Sequence, residues 1–481
     1  MKTKSKQVKK ANEAKKPKQP KKTHPSKEVK NSNNMISVPE VNPHAAGIDI
    51  GSTSHFVCVA QNNVKEFPAF TADLHEIAKH LQAHQVKTVA LESTGFYWVP
   101  LFVLLQDYGF EVFLVNARHL KNVKGHKTDV VDSKWLQFLH SIGLLSNSFQ
   151  PDLFTHELRT YTRHRRSLIE DASKYITKMN KNLILMNIQL KAVLRDISGV
   201  SGIRVIEAIL AGERDPKKLE PLVSTRCHSE RKDIEKALTG DFRKEYLFEL
   251  RDCYDLYKYY WTKIEQIDKQ IELLLKEYSK NKESKNKEPE VSKEDYKPQK
   301  RKTIHKNDPT FDVSAYAFEM TQGIDLTEIP GVNVNTILTM VSEIGFDLSK
   351  FKTAKHFVSW LGFAPNRKIT GGKLMSSKTP KQTSPLAKIM REAANAAGNS
   401  YTRLGDFFRS LAYRKGRVVA IIATARKIGV IIYNMLKNKQ AYKYEYSQED
   451  NERIKSAKLK HIVKTLQNYD ISKNELEAAL V

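Results

Sequence analysis

Two aspartates, Asp129 and Asp132, stand three residues apart in the stretch His126-Lys127-Thr128-Asp129-Val130-Val131-Asp132-Ser133. The stretch reads as the first turn of a helix, where that spacing puts both carboxylates on one face. Adjacent carboxylates repel, and a divalent cation is the obvious partner. Taken alone, the pair also fits two solvated acids favoured by the helix dipole. Two further acids change the weighing. Asp49 sits in the apolar run Gly47-Ile48-Asp49-Ile50, where an unpartnered charge is costly, and Glu92 closes the run Val86-Lys87-Thr88-Val89-Ala90-Leu91-Glu92. Four carboxylates from three segments suit one or two hard cations, Mg²⁺ or Mn²⁺, which would polarise a phosphate and orient an attacking oxygen.

The elements that must position these acids are legible from Ala46 onward. Gly47 to Gly51 and His55 to Ala60 read as two strands, and Phe67 to Phe70 as the close of a three-stranded meander. A helix is expected from Asp73, as N-cap, to His84, with Leu74, Ile77, Ala78 and Leu81 on one face. A strand at 86–92, a helix from Val99 to Tyr108, a strand from Glu111 to Val115 and a helix from Asp129 to His140 follow. A meander followed by alternating helix and strand is the order of an RNase H-like fold. Within such a sheet, the segments carrying the four acids converge.

Composition narrows the partners. Among 481 residues, 80 are basic and 54 acidic, a net charge of +26 that calls for a polyanion. The most apolar tract, Val418 to Met435, is interrupted by Arg426-Lys427, so no membrane span is expected. With no apolar h-region near the first residues, no secretory signal is expected. Cys58, Cys227 and Cys253 are too few and scattered for a disulfide framework or a zinc site. A cytosolic protein is the expectation, with nucleic acid as its leading partner class.

Six regions follow from texture. Residues 1–40 form a basic tail expected to be disordered, its first 36 positions holding twelve lysines and two glutamates. Residues 44–150 form the acid-bearing domain. Residues 151–278 carry two long helices expected to pair as a coiled coil, within the chain or between chains. The first has Leu158, Tyr161, Leu168, Ala172, Tyr175, Met179 and Met186 on its seam, interrupted by Arg165 and Asn182. The second has Leu250, Cys253, Tyr257, Tyr260, Ile264, Ile267, Ile271 and Leu274. A helical insertion occupies 196–245. Residues 279–311 read as a lysine-rich linker, 312–445 as a helical C-terminal domain, and 446–481 as a charged tail.

Phosphate-contact candidates lie in this second part. Arg159, Arg163, Arg165 and Arg166 mark a basic face on the first long helix, which also reads as a merely solvated face. Ile329-Pro330-Gly331-Val332-Asn333 before a helix resembles a helix-hairpin-helix, whose backbone N–H groups meet phosphate; Gly331 and Asn333 are its turn residues, Asn333 tolerating the left-handed conformation. The loop 362–378 is rich in glycine, hydroxyls and cations, with Arg367, Lys368, Lys373 and Lys378 beside Thr370, Ser376 and Ser377. It suits phosphate binding and a hydroxyl nucleophile. Lys127, next to the aspartate pair, is a further contact candidate.

These motifs, in this order and spacing, resemble the DEDD-type insertion-sequence transposases of the IS110 family, with its IS1111 branch. The matching segments are Gly-Ile-Asp-Ile-Gly, Leu-Glu-Ser-Thr-Gly-Phe-Tyr-Trp, Val-Asn-Ala-Arg-His, Lys-Thr-Asp-Val-Val-Asp, Ile-Pro-Gly-Val, Trp-Leu-Gly-Phe-Ala-Pro-Asn, Thr-Gly-Gly-Lys-Leu-Met-Ser-Ser and Ala-Thr-Ala-Arg-Lys, over roughly residues 44 to 445. The resemblance implies a RuvC-like domain with Asp49, Glu92, Asp129 and Asp132 as an acidic metal-binding tetrad. It implies a C-terminal serine that attacks DNA to form a phosphoserine link, and a homodimer joined by a coiled coil and assembling to a tetramer. It also implies a structured bridge RNA that selects element-end and target DNA. One departure stands out: Thr370-Gly371-Gly372-Lys373 replaces the usual Ser-Gly-Gly-Lys. Thr370, Ser376 and Ser377 are therefore all candidate nucleophiles, the serines being less hindered. Two rivals share the acids: a RuvC-like nuclease using water, and an impaired transposase derivative that only binds nucleic acid. An actin-like sugar kinase shares only the first glycine loop.

Overall fold

The computed structural model describes residues 39–60, 63–93, 95–116, 128–283, 291–297 and 305–443, with scattered positions between 452 and 466. The expected basic tail up to residue 38, Lys127, parts of the lysine-rich linker and most of the C-terminal tail lie outside the described residues. The chain divides into two units, residues 1–149 and 150–481.

The first unit is a five-stranded sheet in the order β3-β2-β1-β4-β5, built from β1 (Ala45–Ile50), β2 (Ser54–Ala60), β3 (Asn63–Pro68), β4 (Thr88–Glu92) and β5 (Glu111–Val115). The first three strands form an antiparallel meander, while β4 runs parallel to both β1 and β5. This mixed sheet fits the RNase H-like expectation, with β3 lying slightly earlier than the sequence implied. Alternation divides the side chains between two faces. Ile48, Ile50, Val89, Leu91, Val112 and Leu114 pack under α1 (Thr71–Ala83) and α2 (Trp98–Asp107), with Leu74, Ile77, Ala78 and Leu81 of α1 buried as expected. Asp73 does not cap α1. The helix starts earlier, Phe70 occupies the cap position, and Asp73 lies within the first turn.

The opposite face receives α3 (Asp129–Ser141). Its contact is set by Gly47, because a Cβ there would meet Gln137 N at 2.3 Å and Ser133 O at 2.7 Å. Only a bare Cα lets the helix backbone lie this close to the sheet. Gln137 Nε2 donates to Ala45 O at 3.3 Å, and His140 Nε2 bonds Thr88 Oγ1 at 2.9 Å. Leu136 packs with Ala90 and Val115.

In the second unit, α4 (Leu153–Leu185) and α7 (Lys244–Glu283) lie side by side and antiparallel: Phe154 stacks on Tyr278, Arg165 pairs with Asp268, and Tyr175 stacks on Tyr260. The pairing is thus within one chain. Between them, α5 (Val200–Leu210) and α6 (Arg231–Leu238) form the insertion, sharing a core with Ala172, Met179, Leu183, Leu250 and Cys253. The seam of α7 differs from the expected phase in its second half, where Asp268 and Leu275 are buried rather than Ile267 and Leu274. The C-terminal stretch of the expected linker is built into this unit as well. Lys306 Nζ donates to Ser198 O at 3.0 Å and lies 4.9 Å over the Tyr257 ring.

The chain continues through α8 (Val313–Met320), α9 (Val334–Ile344), α10 (Ala354–Trp360), the hairpin β6 (Lys368–Thr370) and β7 (Lys373–Ser376), α11 (Pro385–Ala397), α12 (Arg403–Lys415) and α13 (Arg417–Asn438). Buried on all sides from Thr336 to Ile344, α9 is the centre of this helical region. By length and composition alone α13 is apolar enough to cross a membrane. Its stripe Ala420, Thr424, Ala425, Ile428, Ile432 and Tyr433 is buried, and Tyr433 donates to Phe351 O at 2.7 Å. All three cysteines are free thiols.

Gly47→Ala is expected to push α3 off the sheet and destabilise the first unit by about 1–3 kcal/mol, the usual cost of overpacking. Urea unfolding followed by circular dichroism would measure it, and an unchanged midpoint would contradict the close-contact reading.

Candidate active site and nucleic-acid contacts

The four acids can be placed by register. Ile48 pairs with Leu91 across β1 and β4, so the next position along the two parallel strands holds Asp49 and Glu92. Alternation puts Asp49 on the same face as Gly47, and Glu92 on the same face as Ala90, which is the face covered by α3. The direction of α3 follows from its contacts: its C-terminal end lies beside Thr88 and Ala45, and its middle beside Gly47. Its N-terminal turn, with Asp129 and Asp132, therefore extends toward the strand ends that carry Asp49 and Glu92. Thr128 fixes where that turn begins, its Oγ1 accepting from Val131 N at 3.3 Å. Asp49, Glu92 and Asp132 are half-buried and Asp129 is exposed.

An all-carboxylate set at one sheet edge has the oxygen chemistry that Mg²⁺ or Mn²⁺ requires. Among the described residues, no three His, Cys, Asp or Glu side chains are gathered closely enough to hold a metal ion. The backbone thus brings the acids to one edge without drawing their oxygens to ligand distance.

The four arginines of α4 each meet a carboxylate: Arg159 and Arg163 share Glu343, Arg165 pairs with Asp268 and Arg166 with Glu170. Arg165 is 3% exposed and donates Nε to Asp268 Oδ1 at 2.5 Å and Nη1 to Asn307 O at 3.1 Å. Asp268 also accepts from Thr310 N at 3.0 Å. For Arg165 the expected phosphate contact gives way to a buried ion pair. Arg159 donates to Ser342 O at 3.3 Å and Glu343 O at 2.5 Å, and burial lowers its guanidinium pKa below the ordinary range. Arg163 grips Glu343 through two bonds, at 2.8 and 2.9 Å, but stays half-exposed, and Arg166 pairs with Glu170 at 3.2 Å. Neither Glu343 nor Asp268 stood out in the sequence. Asp268 had a signal, since it takes a seam position of α7.

The turn at 330–333 also differs in detail. Gly331 is left-handed (φ +86°), and its Cα lies against α11, where a Cβ would meet Ala393 O at 2.1 Å. Asn333 is not left-handed: at φ −125° it is the N-cap of α9, accepting from Thr336 N at 2.9 Å. The conformational reason offered for an asparagine there is replaced by a capping one. Gly331 and Asn333 share with Arg163, Arg165 and Arg166 the wall of one cavity of about 420 Å³.

The hydroxyl-rich loop is a β-hairpin. Gly371 and Gly372, at φ +53° and +74°, make its turn. Thr370 and Lys373 flank that turn and are exposed, as are Arg367 and Lys368. Ser376 lies at the base, its Oγ accepting from Lys378 N at 3.3 Å. Ser377 and Lys378 line a largely apolar cavity of about 1090 Å³ together with Phe363, Phe407, Arg426 and Lys427. The three candidate hydroxyls therefore occupy three settings: tip, base and cavity wall.

His140, which anchors α3 to β4, has its pKa lowered by burial to about 4. The folded chain refuses a proton that the unfolded chain accepts below its ordinary value of 6.5. Stability from this group is therefore complete above pH 6.5 and is lost as pH falls toward 4, by up to about 3 kcal/mol. Chemical denaturation across this range should show the slope, and His140→Gln should flatten it.

Two family models match the chain. Residues 46–188 match a transposase model of the DEDD, IS110 type, and residues 325–407 match a transposase model of the IS116/IS110/IS902 family. No curated protein matches the sequence.

Proposed function

The chain belongs to the IS110 family of transposases, and from that premise we propose that it cuts and rejoins DNA with the acids of its first unit and a hydroxyl of its second. The observation that carries this reading is the convergence of Asp49, Glu92 and the first turn of α3 at one edge of the sheet. Asp49, Glu92, Asp129 and Asp132 would hold Mg²⁺ or Mn²⁺. Bound there, the metal supplies charge neutralisation at the scissile phosphate.

The protein's own groups do the rest. A hydroxyl oxygen from Ser376, Ser377 or Thr370 attacks phosphorus. An Oγ–P bond forms while one strand's P–O bond breaks, the hydroxyl proton passes to a carboxylate or water, and the departing sugar oxygen takes up a proton. Both serines are primary alcohols and approach more freely than the β-branched Thr370. Ser377 has the further support of Lys378, Arg426 and Lys427 around the same cavity, where cations favour a phosphate. The covalent link preserves the phosphodiester energy, so rejoining needs no external source.

The same proposal gives the polyanion a role. A net charge of +26 suits two DNA duplexes and a structured RNA from the element. Pairing by that RNA would choose target and donor sequences, leaving the protein to bind backbones. Two copies of the chain, doubling to a tetramer, would bring acids and hydroxyls from different subunits together.

A suicide substrate spanning the element junction, incubated with the element's RNA and Mg²⁺, tests this. The expected product is a covalent protein–DNA adduct, absent in Asp49→Ala and in one of Ser376→Ala, Ser377→Ala or Thr370→Ala. DNA cleaved without any adduct would mean attack by water and a nuclease rather than a recombinase.

A further inference from the structure

The segment that follows Glu92 holds a feature the acids do not explain. Beyond β4 the ladder is extended by Ser93 N, which donates to Val115 O at 2.9 Å. The chain then turns at Gly95 (φ +54°) and enters α2. Trp98 pins this turn: its indole N–H donates to Gly95 O at 3.2 Å, its ring stands edge-on to Phe102 at 5.4 Å, and it packs against the sheet's apolar core. The two residues between, Phe96 and Tyr97, face solvent with 73% and 42% of their surface exposed. Their ring centroids lie 4.8 Å apart with planes inclined by 37°.

Single exposed apolar residues are common and need no explanation. Two adjacent aromatic rings on a pinned turn, four and five positions beyond Glu92, are different. Their position at the carboxyl end of β4 places them on the edge where the acids converge. Ring faces of this kind are what proteins offer to unpaired bases, because every base has a π-face and stacking does not depend on its identity. Strand exchange at a scissile phosphate requires neighbouring bases to leave their partners, and each unpaired base then needs a new surface.

We propose that Phe96 and Tyr97 form a stacking platform for an unpaired nucleobase flanking the scissile phosphate at the sheet edge that carries Asp49 and Glu92. The proposal rests on the reading that DNA is bound at these acids. It makes the site selective for locally unpaired DNA over continuous duplex, with little preference among bases. Phe96 and Tyr97 are positioning residues here, acting through the base and not on the reacting atoms.

The test uses the full chain and a DNA duplex containing a short unpaired bubble with one 2-aminopurine, in Ca²⁺ instead of Mg²⁺. Stacking is read from 2-aminopurine fluorescence and binding from the anisotropy of a distant dye. The wild-type chain should bind the bubble more tightly than the unbroken duplex and quench the fluorescence. The double variant Phe96→Ala/Tyr97→Ala should lose the quenching and roughly 5- to 100-fold of the bubble affinity, with duplex affinity unchanged. Phe96→Tyr/Tyr97→Phe should retain both. Equal quenching in wild type and the double-alanine variant would overturn the proposal, as would wild-type binding without preference for the bubble. So would a change in sedimentation mass of the double-alanine variant with unaltered quenching, which would assign the rings to a protein contact. Failure of the acid-site reading shows separately, as neither cleavage nor adduct in the suicide-substrate assay while quenching persists.

Discussion

Everything in the first unit that concerns chemistry depends on the close approach of α3 to β1 at Gly47. With a Cβ only 2.3 Å from Gln137 N excluded, the helix backbone rests directly on the strand. The Thr88–His140 hydrogen bond and the Gln137–Ala45 bond set how far along the strand it rests. Height, direction and register are thus fixed at the buried end of α3. The acids stand at its other end, where Thr128 starts the helix. Leu136 packs with Ala90 and Val115 one to two turns away from them, so the rigidity behind the acids comes from a glycine and an apolar contact.

The second unit achieves precision by a different means. Arg165 and Asp268 meet in the seam between α4 and α7, both almost wholly buried. A buried pair of this kind contributes little net stability over an apolar one, but a mismatched register would strand two charges in the interior at a cost of several kcal/mol. The pair therefore specifies one alignment of two helices that apolar periodicity alone would leave free to slide. The same residues reach further, since Arg165 holds Asn307 O and Asp268 accepts Thr310 N. Arg159 and Arg163 meet Glu343 at the end of α9, tying the long helix pair to the helical region that carries the hydroxyls.

Which features were legible in the sequence follows from how local their causes are. Strands β1, β4 and β5 and the buried face of α1 appear as short-range periodicity, and the structure places them within a few residues of expectation. The two long helices were legible for the same reason. Partner choice was not. Arg165 and Arg163 look like exposed cations because their carboxylates lie 103 and 180 positions away. Apolar periodicity favours Ile267 over Asp268, since a charge on a helix seam makes sense only once its partner is known. Asn333 shows a subtler limit. Its side chain suits both a left-handed turn and a helix cap, and only the position of the first turn of α9 decides between them. The acids of the candidate site are legible in residue type and order, and their convergence in the expected sheet order; strand register adds which positions stand side by side.

The division of labour between the units bears on why a hydroxyl rather than water would attack. On the proposed reading the same acidic edge would serve either nucleophile, so the difference between hydrolysis and exchange would lie in the second unit. On the proposed reading a protein hydroxyl would reach phosphorus past the bulk of a duplex, from the hairpin or from the cavity wall that follows it. In the hairpin β6–β7 the glycine pair turns the chain within two residues and the flanks carry Lys368 and Lys373. Its outward apolar side chains, Ile369, Leu374 and Met375, would be a liability on a surface meant to stay in water. In the single chain they give the hairpin an apolar surface of the kind that an interaction partner covers.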